Sequence, residues 1–189
     1  MKKLILLVLI ASAAHAAPAN PADHVDIFGL PLGGKLKAPP RQCSMKEIGT
    51  DVRSLCWISP QFTHKGWRTG SIIVPGANTR PAWAAHGSFD AAVTKDGTLG
   101  ELRVSTYPAS KFDEIQRSIA LRFGPPTGAS SVRREAKISK WTRADIRIEL
   151  VCAPKIDCIT TFTSPARIAE LEREQKAQQD KESARPLSM

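Results

Sequence analysis

Polar and apolar positions alternate most regularly in the second half of the chain. Ser88–Thr94 and Leu99–Thr106 flank Lys95-Asp96-Gly97-Thr98, whose Asp-Gly centre predicts a β-hairpin. In the second of these strands Leu99, Glu101, Arg103 and Ser105 alternate with Leu102, Val104 and Thr106, so one face is the more polar. The period then changes. Phe112, Ile115, Ile119 and Phe123 fall on one stripe of a helix. Ser110 stands at the N-cap position, with Asp113 completing a capping-box-like start. Gly124 and Pro125-Pro126 stop the helix. Three strands follow over about Val132–Thr142, Asp145–Cys152 and Ile156–Thr163. In the middle one Ile146, Ile148 and Leu150 alternate with Asp145, Arg147 and Glu149, the pattern of a half-buried strand.

Ser164-Pro165 reads as an N-cap followed by proline at the first helical position. The helix after it runs to about Ser183 and is rich in Glu, Lys, Arg and Gln. Its large apolar residues, Ile168 and Leu171, stand near its start, so docking is expected there and a solvated end beyond. Glu172 and Lys176 are spaced as an i,i+4 pair.

The first half is less periodic. Asp26 to Pro40 is punctuated by Gly and Pro and reads as loop or extended chain. Short strands are expected at Leu55–Ser59 and Ser71–Val74, the latter ended by Pro75-Gly76. The order β-β-α-β-β-β-α implies an α+β fold: an antiparallel sheet with a helix packed on one face and a C-terminal helical tail. Residues 26–164 read as a single domain, and 165–189 as a charged helix and tail.

Met1–Ala16 changes the picture. Lys2 and Lys3 precede an unbroken apolar run, Leu4 to Ile10, and Ala14-His15-Ala16 has the small-x-small form that signal peptidase reads. The run is shorter than the roughly 20 residues a spanning helix needs. These residues read as a cleaved signal peptide, 17–25 as a flexible lead-in, and the address as periplasm or medium. Without Lys2 and Lys3 the 27 basic residues fall to 25, against 18 acidic ones. The resulting net charge of +7 favours anionic partners, an envelope or acidic protein among them.

Four cysteines in an oxidising compartment imply disulfides, and three pairings exist. The local pairing, Cys43–Cys56 and Cys152–Cys158, is preferred. Facing Cys152 with Cys158 also faces Leu150 with Thr160 and Ile148 with Phe162, which gathers an apolar set on one face.

Candidate chemistry is sparse. Gly29 to Lys35 spells G-x-x-x-x-G-K, but Leu36 stands where a P-loop has Ser or Thr, and Pro39-Pro40 preclude the helix. No nucleotide or other cofactor is expected. His24, His64 and His86 lack metal-ligand spacing, and no Gly-x-Ser-x-Gly nucleophile elbow is present, so no metal or catalytic residue is assigned. Trp57, Trp67, Trp83 and Trp141 read first as core plugs, with an exposed one available as an anchor. Basic residues are densest at Arg133, Arg134, Lys137, Lys140, Arg143 and Arg147, the candidate surface for an anionic contact. A charged edge strand that resists aggregation explains them equally well. No arginine-rich block interleaves with aromatics, which disfavours nucleic acid.

Three segments together carry a resemblance: Phe28-Gly29-Leu30-Pro31-Leu32-Gly33, Asp96-Gly97-x-Leu99, and Arg122-Phe123-Gly124-Pro125-Pro126. The arrangement resembles small exported proteins of Gram-negative bacteria without an assigned activity. More distantly it looks like outer-membrane assembly lipoproteins of the SmpA/OmlA type and the β-lactamase-inhibitor-like fold. That resemblance implies a binding protein. The chain departs from the lipoproteins in lacking an acylated cysteine ahead of Cys43, and no functional residue carries over. The leading expectation is an exported binding module with a basic sheet surface. The alternatives are an exported hydrolase, which a pocket joining His64 or His86 to a carboxylate would favour, and an inhibitor or immunity-type protein using a protruding loop such as Ala77–Ala85.

Overall fold

The computed structural model describes residues 24–48, 52, 55–59, 61–76, 80–108, 111–128, 131–133, 136–153 and 157–183. Residues 1–23, Ser110, Arg134 and the tail beyond Ser183 lie outside the described residues, and with them the expected signal peptide.

The chain begins with a hairpin, β1 (Val25–Ile27) and β2 (Leu30–Leu32). Then come β3 (Arg41–Gln42), β4 (Cys56–Trp57), β5 (Phe62–His64) and β6 (Trp67–Ile73). A short 3-10 turn, Ala82–Ala84, leads into β7 (Ser88–Thr94) and β8 (Leu99–Thr106). Helix α1 (Phe112–Phe123) precedes β9 (Ser131–Arg133), β10 (Ala136–Thr142), β11 (Arg147–Cys152) and β12 (Cys158–Thr163). Helix α2 (Pro165–Ser183) ends the described chain.

The sheet runs β3-β4-β6-β7-β8-β12-β11-β10-β9 and is mostly antiparallel, with parallel contacts at β3–β4 and β2–β8. This is the expected α+β architecture. The β7–β8 hairpin has the predicted bounds. Cys152 faces Cys158, Leu150 faces Thr160 and Ile148 faces Phe162, the predicted register. Both local disulfides are formed, Cys43–Cys56 and Cys152–Cys158.

Alternation sorts the sheet into two faces. Phe89, Ala91, Leu102, Val104, Phe162, Ile148, Leu150 and Trp141 are buried on the inner face, while Glu101, Arg103, Glu149 and Lys140 point outward. Helix α1 covers the β10–β11 side of the inner face with its Phe112, Ile115 and Ile119 stripe. The β1–β2 hairpin joins the same core through Ile27, Leu30 and Leu32. Helix α2 docks on the outer face: Arg167 lies over the Trp67 ring, 5.2 Å from its centroid, and Glu172 pairs with Arg147 rather than Lys176. Arg167 N–H also reaches the Ser164 hydroxyl at 3.4 Å, the expected cap.

Three expectations need correction. The run Val132–Thr142 is two strands, β9 and β10, which pair antiparallel with Arg133 opposite Ala136 and leave β9 at the sheet edge. The residue before α1 is Lys111, which makes no side-chain cap bond, and Asp113 turns toward Lys137 at 3.8 Å. Asp26 to Pro40 is more ordered than its Gly and Pro content suggests. Its central turn has Phe28 at φ 55 and Gly29 at φ 79, both left-handed, as the two-residue turn that matches strand twist requires.

Candidate functional site

Two segments distant in sequence meet at the inner face. The tip of the β1–β2 hairpin approaches the C-terminal half of α1, and the 3-10 turn closes the third side. Between them lies a cleft of about 370 Å³. Ile27, Phe28, Trp83, Ile119, Phe123 and Phe162 supply its apolar walls.

Phe28 organises the walls. Its ring stands edge-on to Trp83, Phe89 and Phe162, with centroids 5.9, 6.1 and 6.0 Å away. Edge-to-face geometry aligns a ring's positive rim with its neighbour's negative face. A bulky residue at positive φ is strained by about 1–2 kcal/mol. Three aromatic contacts hold it there. Asp26 stabilises the same turn, its Oδ1 accepting the Gly29 N–H at 3.1 Å.

The polar groups of the cleft come from α1. Ser118 Oγ accepts the Trp83 indole N–H at 3.1 Å. One turn later Arg122 donates to the main-chain carbonyl of Asp26 and stacks on Phe123, 5.2 Å from the ring centroid. Arg122 therefore ties the helix to the hairpin while its charge sits at the cleft mouth. The helix end beside it is capped from β10. Trp141 Nε1 donates to Gly124 O at 2.8 Å, and Arg143 donates to Phe123 O. A cation at a helix C-terminus meets the negative end of the helix dipole.

The basic residues singled out from sequence do not form one surface. Lys137 shares the inner face with Ser139 and Trp141; it pairs with Asp113 and lies over the Phe112 ring. Lys140 and Arg147 are on the outer face, bound to Glu149 at 2.8 Å and Glu172 at 2.7 Å. Arg143 closes α1, and Arg133 belongs to the edge strand β9. Each described cation among them with a placed side chain has a protein acceptor or carboxylate.

The tryptophans are core plugs. Trp57, Trp67, Trp83 and Trp141 are 1, 7, 3 and 0 % exposed, which overturns an exposed tryptophan anchor. The described part of Ala77–Ala85 does not protrude: Trp83 and Ala84 are buried, and Arg80 donates to Val74 O. His64 does meet a carboxylate, Glu174 Oε1 at 3.5 Å, in a groove of about 450 Å³ between α2 and the β5–β6 turn. That groove is lined by His64, Lys65, Glu174, Ala177, Gln178, Lys181 and Glu182. None of these carries a hydroxyl or thiol nucleophile. Lys65 sits 3.6 Å from the same Glu174 oxygen, so the cluster acts as an ionic tie for α2. Among the described residues no group of three or more His, Cys, Asp or Glu side chains could hold a metal ion. Lys35, the lysine of the G-x-x-x-x-G-K segment, pairs with Asp96 at 3.5 Å.

Of the cleft residues, Trp83 was weighed from sequence as core plug or anchor, whereas Phe28, Ser118 and Arg122 were not singled out as a site. One signal was available: Phe28-Gly29 sits between two alternating triplets, and a bulky residue at that turn position is unusual. Two of the three segments behind the family resemblance, around Phe28 and around Arg122-Phe123, turn out to be opposite walls of one cleft. The chain matches no family model, no curated protein and no solved structure. Among the described residues no helix is long and apolar enough to cross a membrane.

Proposed function

We propose that this chain is an exported, disulfide-braced binding module whose working site is the aromatic cleft between the first hairpin and α1. The observation that carries the reading is the make-up of the cleft: Phe28, Trp83, Phe123 and Phe162 wall it, and Ser118 and Arg122 supply its polar groups. The cleft volume lies within the range of small-molecule sites, and few polar groups converge on apolar walls, as such sites require. Export is supported by the Met1–Ala16 pattern and by two disulfides in a chain with no free cysteine among its described residues. The kinship with exported binding proteins belongs to the same reading, supported by the helix that ends Phe123-Gly124-Pro125-Pro126 ahead of antiparallel strands.

The test uses N-phenyl-1-naphthylamine, a neutral apolar dye that brightens out of water. The protein lacking Met1–Ala16 should bind it saturably. Ser118→Phe, which puts a ring into the cleft, should abolish binding. Lys140→Glu, on the opposite face, should leave it unchanged. Equal binding by the parent and Ser118→Phe would reject the cleft.

A further inference from the structure

We infer that the ligand of this cleft is a small monocarboxylic acid with an apolar aryl or alkyl body, its carboxylate held by Arg122. The inference rests on the cleft being a binding site and adds the chemistry of its occupant.

Ser118 and Arg122 are one helical turn apart, so both project from α1 on the side that lines the cleft. Ser118 lies beside Trp83 within it. The Ser118 oxygen accepts from the indole, which leaves its own O–H free to donate. Arg122 commits one nitrogen to the Asp26 carbonyl, and a guanidinium carries five N–H donors in a planar fork. Among the described residues no carboxylate stands within ion-pair distance of Arg122. A positive charge with spare donors therefore sits at the mouth of an aromatic box. It is already fixed in place by its contacts to Asp26 and Phe123, so little further ordering is needed to bind an anion.

The charge balance at the mouth selects the head group. A carboxylate matches the guanidinium fork and brings one negative charge. The Asp26 carboxylate lines the same mouth and is the adverse group, only partly occupied by the Gly29 N–H. A phosphate would bring a second charge against it. A neutral apolar molecule would cover Arg122 without using its donors, at the cost of desolvating them. The walls offer ring edges and faces rather than hydrogen-bond groups, which selects an apolar body.

The experiment displaces bound N-phenyl-1-naphthylamine with 4-phenylbutyrate and, separately, with 4-phenylbutanamide, its neutral counterpart. On the parent protein the acid should compete at a concentration at least tenfold lower than the amide. Competition in Arg122→Gln, scaled to whatever dye affinity that variant has, should show no preference between the two. Arg122→Lys should keep part of the preference, and Asp26→Asn should enlarge it. Added salt should narrow it, since the mouth is open to solvent. Equal competition by acid and amide on the parent, or an undiminished preference in Arg122→Gln, would overturn the inference while leaving the dye-binding cleft in place. Failure of the parent to bind the dye at all would overturn the cleft reading and this inference together.

Discussion

The indole N–H of Trp83 donates to Ser118 Oγ at 3.1 Å, joining the 3-10 turn to α1 across 35 positions of sequence. Both ends of this bond line the cleft, so the contact that holds the wall also belongs to the site. Trp83 is almost fully buried, which makes its single polar atom dependent on that partner.

Ser118→Ala should therefore destabilise the fold by about 1–3 kcal/mol, the cost of leaving a buried donor unpaired. Trp83→Phe removes donor and bulk together and should cost more, since a smaller ring leaves a void. In the Trp83→Phe background, Ser118→Ala should cost close to nothing. Urea unfolding of the four proteins measures the coupling. Additive losses would mean that the bond contributes nothing specific.

Gly100 and Trp67 form a second dependent pair, on the outer face. A Cβ at Gly100 would collide with Cζ3 and Cη2 of Trp67, so the six-membered ring of the indole occupies the space a side chain would need. Arg167 of α2 covers the other side of that ring. Gly100→Ala should lose about 1–3 kcal/mol through forced displacement of Trp67. Trp67→Leu should suppress most of that penalty when combined with it. The double mutant is checked by thermal unfolding, and a full penalty in both backgrounds would refute the contact.

The legible parts of the fold were those with long local repeats. The β7–β8 hairpin, the α1 stripe and the β11–β12 register all follow from periodicity plus an Asp-Gly, Gly-Pro-Pro or Cys-Cys signal within a few residues. Elements of two or three residues carried too little pattern to read. Phe62–His64 is one such strand, and its three side chains are exposed, so no apolar alternation marks it. The division between β9 and β10 falls inside a run, Val132–Thr142, that holds no Gly, Pro, Asn or Asp to mark it. At β2, Pro31 and the flanking glycines suggested loop or extended chain, and three residues with Leu30 and Leu32 buried on one face were too short a pattern to outweigh them. The cleft was illegible for a different reason. Asp26 and Arg122 meet from positions 96 apart, and no local rule reports a contact of that range. The basic cluster shows the converse: Lys137 and Lys140 are close in sequence, yet strand alternation sends them to opposite faces.

The disulfides differ in the loops they close. Cys43–Cys56 spans 13 positions and Cys152–Cys158 spans 6. Loop-closure entropy assigns them about 3 and about 2 kcal/mol respectively. Paired Cys→Ser variants should lower the urea midpoint in that order. Cys43 and Cys56 also form a small cluster with Val52 and Ile73, which adds to the loss at that end. The β11–β12 turn should keep its register without the bridge, since Ile148–Phe162 and Leu150–Thr160 remain paired. Retained dye binding in both variants would show that the cleft stands independently of the covalent braces.

Two carboxylates should give opposite pH signatures. Glu47 accepts from Arg41 and from the Ser44 N–H and hydroxyl, which holds its pKa down to about 2. A depressed folded-state pKa contributes stability above the unfolded value, and that contribution is lost as pH falls from about 4.5 toward 2. Glu101 is half-buried on the outer face, and burial raises its pKa against the opposing pull of Arg167 and Arg103, with Asp90 adding to the rise. A raised folded-state pKa works the other way: its favourable contribution is complete below the unfolded value and is lost as pH rises through the folded one. Glu47→Gln should therefore be less stable than the parent at pH 7 and converge with it toward pH 2. Glu101→Gln should match the parent near pH 4 and exceed it at pH 7. Urea unfolding across that range separates the two. A Glu101→Gln protein less stable than the parent at neutral pH would show that its attraction to Arg167 and Arg103 outweighs the cost of burying the charge.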